Sequence, residues 1–193
     1  MEFDNKRVAG TILFVGAAQF IVLMIIAETL YPNYSTSDNY ISDLGVGPSA
    51  LIFNSSIILF GLMIVAGTYF IYRVFRSRFL LVLLTLAGIG AMGVGVFTES
   101  AGGIHVVFSL ITFLFGGLSA IAFYKVEKTP FNWLSVVLGT MGLVALVLFG
   151  SSNYLGLGAG GMERMIAYPI LLWGAGLGGH LIGSSEKMPT TKP

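Results

Sequence analysis

Six long apolar stretches, separated by short polar segments, dominate the pattern of this chain. They run over residues 8–27, 50–72, 79–97, 104–124, 133–150 and 165–182. Each is near the ~20 residues that carry a helix across a hydrocarbon core ~30 Å thick. A backbone in lipid must satisfy its own N–H and C=O groups, which leaves only helices and closed barrels. The runs are continuous rather than alternating, so they predict helices and not barrel strands. The expected fold class is an all-α integral membrane protein, a compact bundle of six transmembrane helices. Residues 1–183 read as one domain and 184–193 as a short polar tail. Lys6 and Arg7 precede the first run as they would in a signal peptide. The run is too long for one, and no small-residue cleavage site follows, so it reads as a retained helix.

Composition supports the same picture. The sequence is 55% hydrophobic and only 10% charged, whereas a soluble domain carries about 25% charged residues. Membrane lipids are therefore the expected partners, and nothing points to nucleic acid. The absence of cysteine excludes disulfides, zinc–thiolate sites and thiol nucleophiles. No cofactor is expected.

The net charge of +1 hides a strong asymmetry. Lys6, Arg7, Arg73, Arg76, Arg78, Lys125, Lys128, Lys187 and Lys192 fall on one side of the predicted bundle with Glu2, Asp4, Glu127 and Glu186. The other side holds Glu28, Asp38, Asp43, Glu99 and Glu163 against Arg164 alone, so the two sides carry +5 and −4. Basic loops stay cytoplasmic. Both termini are thus expected in the cytoplasm of a multi-pass protein of the plasma membrane.

Helices in lipid associate through close packing at small residues and through polar contacts. Ala87, Ala91 and Gly95, Gly116 and Ala120, and Gly174 and Gly178 recur at four-residue spacing and are the predicted seams. Pro169 is expected to bend the last helix or loosen its outer turn.

The long outer connection over 28–49 is the one unusual loop. Tyr31, Tyr34, Tyr40, Ile41 and Leu44 make it read as an ordered element folded over the outer mouth of the bundle. Ser37 or Asp38 is placed to cap a short helix ending at Gly45, with Gly45 in the left-handed conformation. Two other outer turns, one carrying Glu99 and His105 and one carrying Glu163 and Arg164, bring polar groups to the same level. Ionisable groups at such depth usually face partners or a cavity. Asp43, His105 and Arg164 are therefore read as members of a site, and Glu28 and Asp38 as solvated loop acids. Asp43 is the expected partner of Arg164, since Glu163 is its sequence neighbour and such positions on a helix do not face each other.

Ile41-Ser42-Asp43-Leu44-Gly45, followed by Pro48 and Phe53-Asn54, resembles the signature of a prokaryotic six-span membrane family known only by a domain-of-unknown-function label, number 998. The Phe97…Glu99…Gly102…His105 turn and Glu163-Arg164…Tyr168-Pro169…Leu172-Trp173 are similar to its later blocks, in the same order. The resemblance implies six spans and no agreed activity. The Ile-Ser-Asp…Gly…Pro block with a histidine opening helix 4 is also remotely similar to the superfamily of autophagy modulators and glycosylphosphatidylinositol lipid-remodelling factors. That likeness implies lipid handling, although fold alone does not carry function.

The function favoured is binding of a lipid or lipid headgroup at the outer pocket, with a lipid-modifying enzyme as its catalytic form. The alternatives are a small-solute transporter and a non-catalytic assembly or scaffold protein. In the catalytic form His105 is the general acid or base, oriented by Asp43 or Glu99. Arg164 holds an anionic headgroup, with Asn54 and Ser42 as further polar contacts. Ser42 and Ser100 are the candidate nucleophiles, and neither sits in an elbow motif. No metal site is predicted, because His180 lies at the opposite end from His105 and zinc prefers nitrogen-rich shells. Gln19, Thr85 and Thr112 are the only polar groups near the midplane. None is charged, which weighs against a coupled carrier.

The charge asymmetry makes a direct prediction. Single cysteines at Ser35 and Ser100 should react with an impermeant maleimide added outside intact cells, and cysteines at Ser77 and Thr129 should not. Labelling at Ser77 from outside reverses the orientation.

Overall fold

All six apolar runs are helices in the computed structural model, which describes residues 4–185. They are α1 (Asn5–Leu30), α2 (Ala50–Phe75), α3 (Arg78–Val96), α4 (Gly103–Ala122), α5 (Phe131–Gly150) and α6 (Gly158–Ser185). Each is long and apolar enough to cross a membrane. Among the described residues there is no strand. Each helix packs on its sequence neighbour, and α6 returns to pack along α1, closing the ring. The positions expected to form a tail lie outside the described residues from 186 onward, while Ser184 and Ser185 finish α6.

Local chemistry sets the ends. Asp4 caps α1 by accepting from Lys6 N–H at 2.9 Å, which satisfies a donor the helix cannot pair internally. Arg76 takes a left-handed conformation (φ 54°) after α2, and Ser77 Oγ then accepts from Leu80 N–H at 3.3 Å to start α3. The largest departure from expectation is α6, which begins at Gly158 rather than Met165. Its glycine-rich opening reads locally as a loop, yet packing against the 31–49 connection holds it helical. The helix also runs on through the buried Pro169.

Glycine contacts bring the helices together. A Cβ on Gly178 would lie 2.6 Å from Phe14 N and 2.7 Å from Gly10 O, so α6 and α1 touch backbone to backbone. A Cβ on Gly61 would lie 2.5 Å from Gly88 O at the α2–α3 seam. Gly117 and Gly139 do the same for α4 and α5, where a Cβ on Gly139 would lie 2.6 Å from Gly117 O. Ala87, Ala91 and Ala120 are buried as expected, and Gly95 meets Asn54 O and Ile58. Gly174 is different: nothing lies within 4 Å of its virtual Cβ. Its four-residue spacing to Gly178 carries no contact.

Side chains fill the ring in two layers. Phe20, Met24, Ile41, Leu44 and Phe53 pack at the end bearing the long loop. Leu13, Ile71, Leu80, Phe123, Trp173 and Leu177 pack at the basic end. Trp173 satisfies its buried indole N–H on Ser135 Oγ at 3.0 Å, which ties α6 to α5. Tyr124 and Trp133 meet edge to face near the basic end, ring centres 5.0 Å apart.

The long loop is ordered, but its details differ from expectation. Its only helical element is a single 3-10 turn over Ser42–Gly45, with no side-chain cap. Gly45 is not left-handed; Gly47 is, at φ 83°. Gly45 is required for space, since its Cβ would lie 2.7 Å from Asn54 Oδ1 and 3.3 Å from Phe53.

The two glycines of α6 supply a clean contrast. Gly178→Ala should lower the melting temperature in detergent, because the methyl group must displace backbone of α1. Gly174→Ala should leave it unchanged or raise it, alanine being favoured over glycine by up to ~1 kcal/mol inside a helix. Equal losses at both sites refute the assigned seam.

Candidate functional site

The loop lies directly on the start of α6, and glycines permit it. A Cβ on Gly158 (φ 79°) would strike Ser37 O, and one on Gly160 would strike Asn39 O. In that contact Gly160 N–H donates to Ser37 O at 2.9 Å, and the Ser37 hydroxyl donates to Leu157 O at 2.9 Å.

Arg164, 6% exposed, then gathers the loop around itself. Its Nη1 donates to the carbonyl oxygens of Thr36, Asn39 and Gly160 at 3.0, 3.1 and 3.0 Å. Its Nη2 donates to Glu28 Oε1 at 2.7 Å and to the Tyr34 hydroxyl at 2.6 Å. The Tyr34 ring also faces the guanidinium, 5.4 Å from Cζ to ring centre. Burial pushes the Tyr34 phenol up to about 12, against the pull of Arg164. It therefore keeps its proton and passes a hydrogen bond to Tyr40 O at 2.9 Å.

This corrects the expected Asp43–Arg164 pair. Glu28 ends α1, and α1 packs beside α6, so the last turn of α1 delivers its carboxylate to Arg164. Asp43 instead closes its own turn, accepting from Asn39 Nδ2 at 2.8 Å and Tyr40 N–H at 3.0 Å. Glu163 is buried and accepts from Ile41 N–H. With its Nη groups spent on protein acceptors, Arg164 is a clamp for the loop rather than an open headgroup ligand. Asn54 is likewise a loop contact: its Nδ2 donates to Gly45 O at 3.0 Å.

A cleft of about 540 Å³ opens between α4, α5 and the top of α6. Ser42, Glu99 and His105 line it together with Tyr40, Ser109 and Glu163, while Leu110, Phe113, Leu146 and Phe149 form its apolar walls. Ser42, Ser109 and Glu163 also border a smaller apolar cavity of about 60 Å³ beside it. The turn carrying Asp43 packs against the turn carrying Glu99 at the edge of this cleft. Burial first, and next the neighbouring Asp43 carboxyl, push the Glu99 carboxyl up from its ordinary 4.5 to about 7. Tyr40 is raised too, by burial first and then by Tyr154.

His105, in the first turn of α4, is 6% exposed. Its orienting partner is neither Asp43 nor Glu99. Nδ1 lies 2.7 Å from Phe97 O, at the carboxyl end of α3, and Nε2 lies 3.2 Å from Ser109 Oγ. Ser109 was not singled out from sequence; the His105-x-x-x-Ser109 spacing, which places both on one helix face, was the available signal. Ser100 is exposed and bonded to Thr98 Oγ1 at 2.8 Å, outside the cleft. At the basic end His180 pairs with Glu127 at 3.0 Å and stacks on Phe131. Among the described residues, no three His, Asp or Glu side chains gather closely enough to hold a metal ion.

A family model described as "Protein of unknown function (DUF998)" matches residues 14–180, and the chain belongs to that family. No curated protein and no solved structure matches it, and the remoter resemblance to lipid-remodelling factors gains no support from these comparisons.

The Arg164 clamp predicts strong coupling with Glu28. The side chains are 7% and 17% exposed, and breaking a buried pair leaves an uncompensated charge at a cost of about 3 kcal/mol or more. Glu28→Gln and Arg164→Gln should each lower thermal stability sharply, and the double variant should lose clearly less than the sum. Asp43→Asn combined with Arg164→Gln should come closer to additive. Additivity in the Glu28 cycle sinks the clamp.

Proposed function

We propose that this DUF998 protein binds the head of a membrane lipid in the α4–α5 cleft, with the acyl chain lying between the two helices. In this reading the loop end faces the outside of the cell membrane and both termini lie in the cytoplasm, following the charge asymmetry of the sequence. One observation carries the proposal: the cleft combines an apolar wall open at the side with a polar floor at one level. α4 and α5 meet closely at Gly117 and Gly139 toward the basic end and separate toward the loop end around Leu110, Phe113, Leu146 and Phe149. Val106 and Leu110 are 63% and 49% exposed where the cleft meets the surroundings. The volume falls within the range of about 300–1,000 Å³ usual for small-molecule sites.

The floor also suggests which heads fit. Glu99, Glu163, the nearby Asp43 and the hydroxyls of Tyr40 and Ser42 suit a head rich in hydrogen-bond donors, such as hydroxyl or amine groups. A bare anionic phosphate facing these acids finds no free guanidinium, because Arg164 is engaged with the loop. No observation favours transport: the Thr112 hydroxyl bonds back to Phe108 O at 2.8 Å, the usual resting arrangement for hydroxyls in membrane helices.

A second groove, lined by Val137, Met141 and Val144 among others with Thr140 as its one polar residue, gives an internal control. Lipids with a diazirine in the acyl chain, crosslinked in membranes and mapped by peptide mass spectrometry, should attach preferentially at Val106, Leu110, Leu146 and Phe149. Leu110→Trp, which fills the cleft mouth, should reduce those adducts and spare the control groove. Equal labelling of both surfaces identifies only annular lipid and overturns the proposal.

A further inference from the structure

We propose that Ser109 and His105 form a nucleophile–base pair that transfers an acyl group from an ester-linked lipid held in the cleft. The inference rests on the lipid-binding reading and adds to it a reaction and a nucleophile.

Hydroxyls in a membrane helix normally bond back to their own backbone. Thr112 and Ser119 of α4 do so, at 2.8 Å to Phe108 O and 2.7 Å to Phe115 O. Ser109, between His105 and Thr112, is placed differently. Its Oγ stands 3.2 Å from His105 Nε2, and the residue borders both the cleft and the smaller apolar cavity beside it. The other ring nitrogen fixes the proton bookkeeping. Phe97 O can only accept, so Nδ1 carries the hydrogen of that 2.7 Å bond. In the neutral ring Nε2 then offers a lone pair, and the Ser109 hydroxyl donates to it. Nucleophile, base and orienting acceptor thus stand in hydrogen-bonded sequence, the arrangement that activates a serine. A backbone carbonyl takes the place of the usual carboxylate. The 3.2 Å separation is typical of such a pair before substrate tightens it.

The chemistry balances without a redox partner. Ser109 Oγ bonds to the acyl carbonyl carbon while its proton passes to His105 Nε2. The C–O bond to the lipid alcohol breaks, and the departing oxygen takes that proton. Water or a second alcohol, deprotonated by His105 Nε2, then bonds to the acyl carbon; the bond to Ser109 Oγ breaks, and His105 returns the proton to that oxygen. Ser42 lines the same two spaces and is the hydroxyl donor available to the transient oxyanion.

The test uses the full chain in detergent with an alkyl fluorophosphonate, which phosphonylates an activated serine with loss of fluoride. The expected result is one adduct, on Ser109, absent in Ser109→Ala. The labelling rate should fall roughly 100-fold in His105→Gln, the usual scale of a general-base contribution. Ser109→Ala should keep the wild-type melting temperature. Ester-linked diacylglycerol, whose head is a bare hydroxyl, should release fatty acid in mixed micelles, and its diether analogue should not. If the crosslinks map to the cleft while Ser109 stays unlabelled, the dyad is overturned and the binding reading stands. If Ser109 is labelled but no lipid crosslinks there, the lipid substrate is overturned. Labelling that survives Ser109→Ala, or a rate unchanged in folded His105→Gln, also overturns the dyad.

Discussion

The buried guanidinium of Arg164 is the constraint around which the loop end is organised. A charge at that depth is tolerated only with partners, and Arg164 finds five of them in three separate pieces of chain: the end of α1, the loop and its own helix. Burying such a pair is weak evidence of net stability. What it supplies here is position. With the carbonyls of Thr36 and Asn39 held on α6, the loop cannot slide. Ile41 N–H then meets Glu163, the turn carrying Asp43 packs on the turn carrying Glu99, and Ser42 enters the cleft wall.

Lipid as solvent explains why the rest of the fold depends so heavily on glycine. Apolar helices gain little from burial against each other when the alternative is hydrocarbon, so close backbone approach carries much of the association. Glycine pairs serve α1–α6, α2–α3 and α4–α5 in turn. The α4–α5 pair lies toward the basic end, and bulky side chains occupy the same interface farther along. The cleft follows from this uneven distribution: the helices are pinned at one end and held apart at the other.

The spans could be read from sequence because lipid imposes length and apolarity on every segment, and all six expected runs became helices. Contacts that depend on three-dimensional neighbours could not be read in the same way. Glu28 looked like a solvated acid at a helix end, and only the return of α6 to α1 makes it the partner of Arg164. Gly174 and Gly178 share one spacing and one helix face, yet only Gly178 meets a neighbour. The glycines before Met162 look like helix breakers, whereas Gly158 and Gly160 are there so that the loop can touch the helix. His105 was identified as a site member, but its orienting partner is a backbone carbonyl, which no side-chain pattern announces.

That carbonyl links packing to chemistry. The last carbonyls of a helix lack internal partners, and Phe97, just past the end of α3, presents its oxygen to His105. The Phe97 ring stacks nearly parallel on Phe108, centres 5.2 Å apart. Phe108 in turn can lie there only because position 93 has no side chain, since a Cβ on Gly93 would overlap its ring. Gly102, with φ 61°, makes the sharp turn that starts α4 so soon after α3. Two glycines and one aromatic stack therefore set the imidazole's tautomer and aim its free nitrogen at Ser109. The placement of His105 against Ser109 is, in this sense, a consequence of how α3 ends.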